Sequence, residues 1–132
     1  MYARLFPFVT STQTPCMISI ALANSSQVLF QMAVGAGTLP DQEEWIERKR
    51  NAVLRWGAST WMLRAKLGGD PVRIAEFFEK HTDEPGTYAL HGGAVPIRVR
   101  GVEGIVAVVT VSGLKQAEDH GVIAEVIKAN WQ

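Results

Sequence analysis

Residues 104–121 read GIVAVVTVSGLKQAEDHG. Residues 105–112 are apolar on both faces, as a strand in the middle of a sheet must be. From about residue 115 the pattern changes to helical spacing, running to about 129. On that helix, placed at 100° steps, Val122, Ile123, Ala124, Val126 and Ile127 fill one broad arc, and Glu118, Glu125 and Lys128 fill the other. His120 falls within the apolar arc, since 120, 123, 124 and 127 form one stripe, and Asp119 lies on the same side near Val122 and Val126. An acid and an imidazole that face inward need partners elsewhere in the fold.

Working outward from this stretch, AVPIRVR (94–100) alternates apolar residues with Pro96, Arg98 and Arg100, which suits an edge strand, and GVEG turns it back into 105–112. CMISIALA (16–23) and QVLFQMAV (27–34) flank NSS and read as a hairpin, the second strand half-buried through Val28, Phe30, Met32 and Val34. Between the hairpins, Asp41 reads as the N-cap of a helix over 42–56, reaching 66 if Gly57 only bends it. Asp70 and Pro71 open a second helix, DPVRIAEFFEKH. TDEPGTYALHGG is a loop with room for a short strand at 87–90. The order β-β-α-α-(β)-β-β-α predicts a single α+β domain over 1–132: one antiparallel sheet with helices packed on it, after an irregular segment at 1–14.

Thirteen basic residues balance thirteen acidic ones, so no overall field draws the chain to nucleic acid or an anionic membrane. No apolar run approaches the roughly 20 residues of a membrane span. Cys16 is the only cysteine, which excludes an internal disulfide and a Cys-rich zinc site and fits a cytoplasmic location. The first fifteen residues lack acids, but Arg4 is their only base, a poor match to an organellar targeting segment.

The first long helix repeats the oddity of the last. Trp45, Ile46, Ala52, Val53, Trp56 and Thr60 share a stripe, and Lys49 sits in its middle. A lysine there either snorkels past the edge or aims at a pocket or a subunit contact. The surrounding ERKR spreads its charges round the helix, unlike a nucleic-acid patch. Ser112 ends the central strand one turn before Asp119, and His91 opens HGG, whose glycines allow close backbone approach. No G-x-S-x-G elbow accompanies HGG, and a Ser112–His120–Asp119 triad fails because neighbours on a helix diverge by about 100°. His81, His91 and His120 have no metal-ligand spacing. Trp45, Trp56 and Trp61 at helical spacing suit a core or an interface.

WIERKRNAVLRWGAST, HGGAVPIRV, GVEGIVAVVTVSGL and QAEDH together resemble the GlcG/HbpS-like family and, within it, a haem-degrading-like branch with no agreed activity. The resemblance covers about residues 14–128. It implies a profilin-like α/β/α sandwich round a five-stranded antiparallel sheet, and homo-oligomers, dimers or larger rings. Haem binding, haem degradation or redox sensing would follow from more distant relatives, with His91 or His120 as axial ligand. The recurring residues fall on Trp45, Arg48, Lys49, Arg50, His91, Gly92, Gly93, Pro96, Arg98, Ser112, Gly113, Asp119 and His120. Members of the family begin with an amphipathic helix, whereas here PFVTSTQTP before the first strand is no helix. Apolar sheet surface is therefore left for a neighbouring subunit or for RLFPF to cover. The first strand also carries Ser19 where relatives often have an acid.

The expectation is a non-catalytic, oligomeric module for a small anionic or carbonyl ligand. Lys49, His91, Arg98, Ser112, Asp119 and His120 would form its site, and Trp45, Arg48, Arg50, Trp56, Gly92, Gly93, Pro96 and Gly113 would serve structure and interface. A haem protein and a purely structural assembly protein are the alternatives.

Overall fold

In a computed structural model of the chain, which describes residues 15–35 and 37–130, the apolar run at 104–112 sits where its two-sided hydrophobicity requires. It forms β4 (Ala107–Ser112), buried at every position and flanked by a strand on each side. The chain order is β1 (Cys16–Leu22), β2 (Val28–Val34), α1 (Asp41–Trp56), α2 (Thr60–Lys66), α3 (Pro71–His81), a 3-10 turn at Pro85–Thr87, β3 (Ala94–Ile97), β4 and α4 (Gln116–Asn130). The strands form an antiparallel sheet in the order β2-β1-β4-β3, so the two hairpins are joined through β1 and β4, with Ser19 opposite Thr110.

The strand alternation assigns each face its own layer. Ile18, Ile20, Val109 and Val111 pack with Ile123 and Val126 of α4. On the opposite face Val108 and Ala94 pack with Val53 of α1. A satellite core lies beside α1, where Trp56 meets Phe77 and Tyr88 at centroid distances of 5.0 and 4.8 Å, and Ala52, Leu63 and Leu90 fill the centre. Trp56 is thus half-buried against this satellite core.

Several expectations are corrected. The sheet has four strands among the described residues, not five, because 87–90 form none. Their backbone groups are taken by α1 instead: Arg48 Nη2 donates to Tyr88 O, Asn51 Nδ2 to Thr87 O, and Ala89 N to Arg48 O, at 3.2 Å each. The first long helix does not reach 66. Gly57 adopts φ 74° and closes α1, and Ser59 then caps α2, its side chain accepting from Met62 N at 3.1 Å. Asp41 is not an N-cap; it is the first helical residue, after Pro40, and makes no capping bond. Asp70 is one, accepting from Val72 N at 3.0 Å ahead of Pro71.

β2 is an edge strand and less covered than its pattern suggests. Only Phe30 and Val34 join the core, while Val28 and Leu29 are close to half exposed. On α4, Ala124 is exposed, and the buried line runs through Asp119, Ile123 and Val126. The expected absence of an N-terminal helix and the irregular segment at 1–14 lie outside the described residues. No helix among the described residues is long and apolar enough to cross a membrane.

Candidate functional site

Lys49 lies in the middle of the buried face of α1, so its ammonium ends under the sheet–helix junction and not in water. Its Nζ donates to Asp119 Oδ2 and to the Val111 carbonyl, each at 3.1 Å. Asp119 Oδ1 in turn accepts from Leu114 N at 3.1 Å. The pair therefore ties α1 to the turn in which β4 hands over to α4. Both side chains are almost wholly buried, at 3% and 2% exposure. Burial outweighs their mutual attraction: it lowers the Lys49 pKa and pushes the Asp119 carboxyl up to about 6, although Lys49 pulls the carboxyl back. Both shifts weaken the charged forms, and with Asp119 at about 6 the two groups still stand as an ion pair at neutral pH.

HGG packs against this junction. Gly93 has φ 130°, its carbonyl accepts from Val111 N at 2.7 Å, and a Cβ there would stand 2.3 Å from Val111 O and 2.8 Å from Lys49 Nζ. A Cβ on Gly92 would stand 2.5 Å from the Gln116 carbonyl. Only bare backbone can pass here. His91 is thereby placed edge-on to Trp45, centroids 5.0 Å apart, with the Arg48 guanidinium 4.7 Å over the Trp45 ring. Burial, then the charges of Arg64, Lys49 and Arg48, lower the His91 pKa, so its imidazole is neutral at pH 7.

These groups line a cleft of about 250 Å³ bounded by Gln42, Trp45, Lys49, His91, Ser112, Gly113, Leu114, Gln116 and Asp119. Gln42 Oε1 is buried without a partner, and Gln116 Oε1 accepts from Gly92 N at 3.2 Å. Of the six ligand candidates, Lys49, His91, Ser112 and Asp119 converge here; Arg98 and His120 do not. Arg98 donates to Gly57 O at 3.0 Å, on the closing turn of α1. His120 turns away from Asp119 and stacks on Trp61 at 5.6 Å, its Nδ1 without a partner. Among the structural candidates Arg48 supports Trp45, Pro96 pairs with Val108 on β3, and Arg50 has buried Nε and Nη1 with no partner, for which the fold offers no explanation. Gln42 and Gln116 were missed, yet 42, 45, 49 and 116, 119, 123 are each an i, i+3, i+7 series that extends the stripe by one turn. No cluster of His, Cys, Asp and Glu among the described residues is arranged to hold a metal ion.

Fold and site together define an α+β sandwich with helices on both faces of an antiparallel sheet and a small polar cleft at one sheet end. The chain belongs to the HbpS-like family, described as haem degrading protein HbpS-like, which it matches over residues 4–128. A UPF0303 protein of Streptomyces avermitilis is 37% identical over 111 residues, 84% of this chain and 65% of that one. The chain thus spans about two thirds of the length of such relatives. The crystal structure of Ybr137w protein superposes with a TM-score of 0.84 at 32% identity, covering 96% of this chain and 71% of that one. A PduOC–haem complex shares the fold, with a TM-score of 0.74 at 16% identity, covering 97% and 87%.

Proposed function

We propose that the protein is a non-catalytic, self-associating module that binds a small anion in the cleft between α1, the HGG loop and the β4–α4 turn. The observation that carries this reading is the convergence, in one cleft, of Lys49 and Asp119 with His91, Ser112 and two amides. The sign of the ligand follows from the surroundings. Lys49, Arg48 and Arg64 all act on His91 through their positive charge, and Arg48 Nε is buried without a partner. At about 250 Å³ the cleft falls below the roughly 300–1,000 Å³ of drug-sized ligands, which suits a small molecule. Self-association is supported by the apolar side chains exposed on edge strand β2.

The family description and the haem-bound fold relative favour a second reading, haem binding. The cleft residues do not fit that group. His91 is a neutral imidazole, as an axial ligand must be, but its cleft is lined by an ion pair, a serine and two amides instead of the broad apolar walls a macrocycle needs. Cys16 is no substitute, since it is fully buried and burial raises its thiol pKa to about 11.

The test is binding of acetate and of haem to the same preparation. Acetate is expected to move the amide resonances of Gly92, Gly93 and Gln116, and His91→Ala is expected to weaken that response. A stoichiometric Soret shift abolished by His91→Ala would replace this reading with the haem one.

A further inference from the structure

Lys49 makes two hydrogen bonds although an ammonium has three donors, and a neutral amine has two N–H groups and a lone pair. With Val111 O and Asp119 Oδ2 engaging two directions, one direction at nitrogen is left over, as a donor in the charged form and as a nucleophilic lone pair in the neutral one. Lys49 belongs to the cleft lining, so a molecule in the cleft meets this amine and its neighbouring acid. We propose that Lys49 forms a reversible imine with a small oxo-carboxylate held in the cleft, with Asp119 as its proton donor and acceptor. This rests on the anion-binding reading and specifies the ligand class: a carbonyl next to a carboxylate.

The step balances within the pair. Proton transfer from Lys49 to Asp119 gives amine and carboxylic acid, and rotation about Cε–Nζ then returns an N–H to the Asp119 carboxyl and turns the lone pair toward the left-over direction. The amine lone pair attacks the carbonyl carbon, the C=O π pair goes to oxygen, and a proton moves from nitrogen to that oxygen to give a carbinolamine. Asp119 then protonates the hydroxyl, water leaves, and the product is an iminium ion beside the Asp119 carboxylate. The overall change is loss of one water, with no oxidant or reductant. Burial, which favours the neutral form of both groups, supports the first transfer. Arg48 and Arg64, whose positive charges reach His91, supply the field for the ligand carboxylate, and the unpartnered Gln42 Oε1 is an acceptor for the hydroxyl or the departing water.

The test is reductive trapping of the wild-type protein with glyoxylate or pyruvate and cyanoborohydride at neutral pH, followed by peptide mapping. The other lysines, Lys66, Lys80, Lys115 and Lys128, serve as internal controls because all four are exposed to water. Label at Lys49 is expected to exceed each of them by about tenfold or more, since an ordinary lysine is almost entirely protonated at that pH. Asp119→Asn is expected to slow trapping at Lys49 by about tenfold or more and to leave the other lysines unchanged. Even labelling of all lysines overturns the imine. If acetate still perturbs Gly92, Gly93 and Gln116 in that case, the anion site stands without it; if acetate does nothing either, both readings fall. Mapping needs no substitution, so a variant that fails to fold does not remove the test.

Discussion

At the scale of single residues the molecule depends on a buried amine and a buried acid that require each other. Removing one partner strands the other in a dry site, so Lys49→Met or Asp119→Leu is expected to cost about 3–5 kcal/mol by denaturant unfolding. The double variant is expected to recover much of that, because an apolar pair of similar volume has no charge to desolvate. The titration of Asp119 is a second check. Its folded pKa of about 6 lies above the ordinary 3.8, so between those values the native state binds more protons than the unfolded chain. The contribution of this group to stability therefore falls as pH rises through that window. Carboxyl carbon NMR is expected to give a midpoint near 6 in the wild type and a higher one in Lys49→Met, where the attraction to the ammonium is gone. Much of this site was legible in the sequence, since Lys49 and Asp119 are charged residues on apolar helix faces. His120 was not: one step along a helix turns a side chain by about 100°, enough to send it to Trp61. Gln42 and Gln116 sit in first helical turns, where polar residues read as ordinary solvated ends.

At the scale of elements, caps and close approaches fix where each piece stops. Ser59→Ala and Asp70→Ala are each expected to cost about 1 kcal/mol, whereas Asp41→Ala, which breaks no cap bond, costs a few tenths at most. Thermal unfolding of the three variants side by side checks the contrast. Gly93→Ala is expected to cost about 2–4 kcal/mol, combining backbone strain at φ 130° with a Cβ driven into Val111 O, and to disturb the cleft as well. The strand and helix types followed from periodicity, with β4 the clearest because it is apolar on both faces. The end of the first helix at 56, with Gly57 as its weak point, was legible, whereas the absence of a strand at 87–90 was not. That segment gives its backbone groups to Arg48 and Asn51 on a distant helix, and local pattern carries no record of that.

At the scale of the whole molecule the open question is what meets β2. Among the described residues it is the outer strand of the sheet, with Val28, Leu29 and Met32 exposed, an apolar surface that another copy of the chain can cover. The expected outcome is an oligomer in light scattering coupled to size exclusion, shifted toward monomer by Leu29→Lys. An unchanged mass would place the contact elsewhere. The α+β class and the two-sided packing of the sheet were readable from the order of elements. Strand order was not, because the same hairpins could be joined through other neighbours.

The central place of β4 has a consequence for biosynthesis. The strand that joins the two hairpins is the last of the four described strands to be made, and Asp119 follows Lys49 by 70 positions. A nascent chain that has reached only the HGG loop holds one isolated hairpin and a lysine with no counter-charge. Neither can settle until β4 and Asp119 have left the ribosome. The domain is therefore indivisible during translation: a premature stop before residue 119 leaves no smaller stable unit, only a substrate for chaperones or proteases.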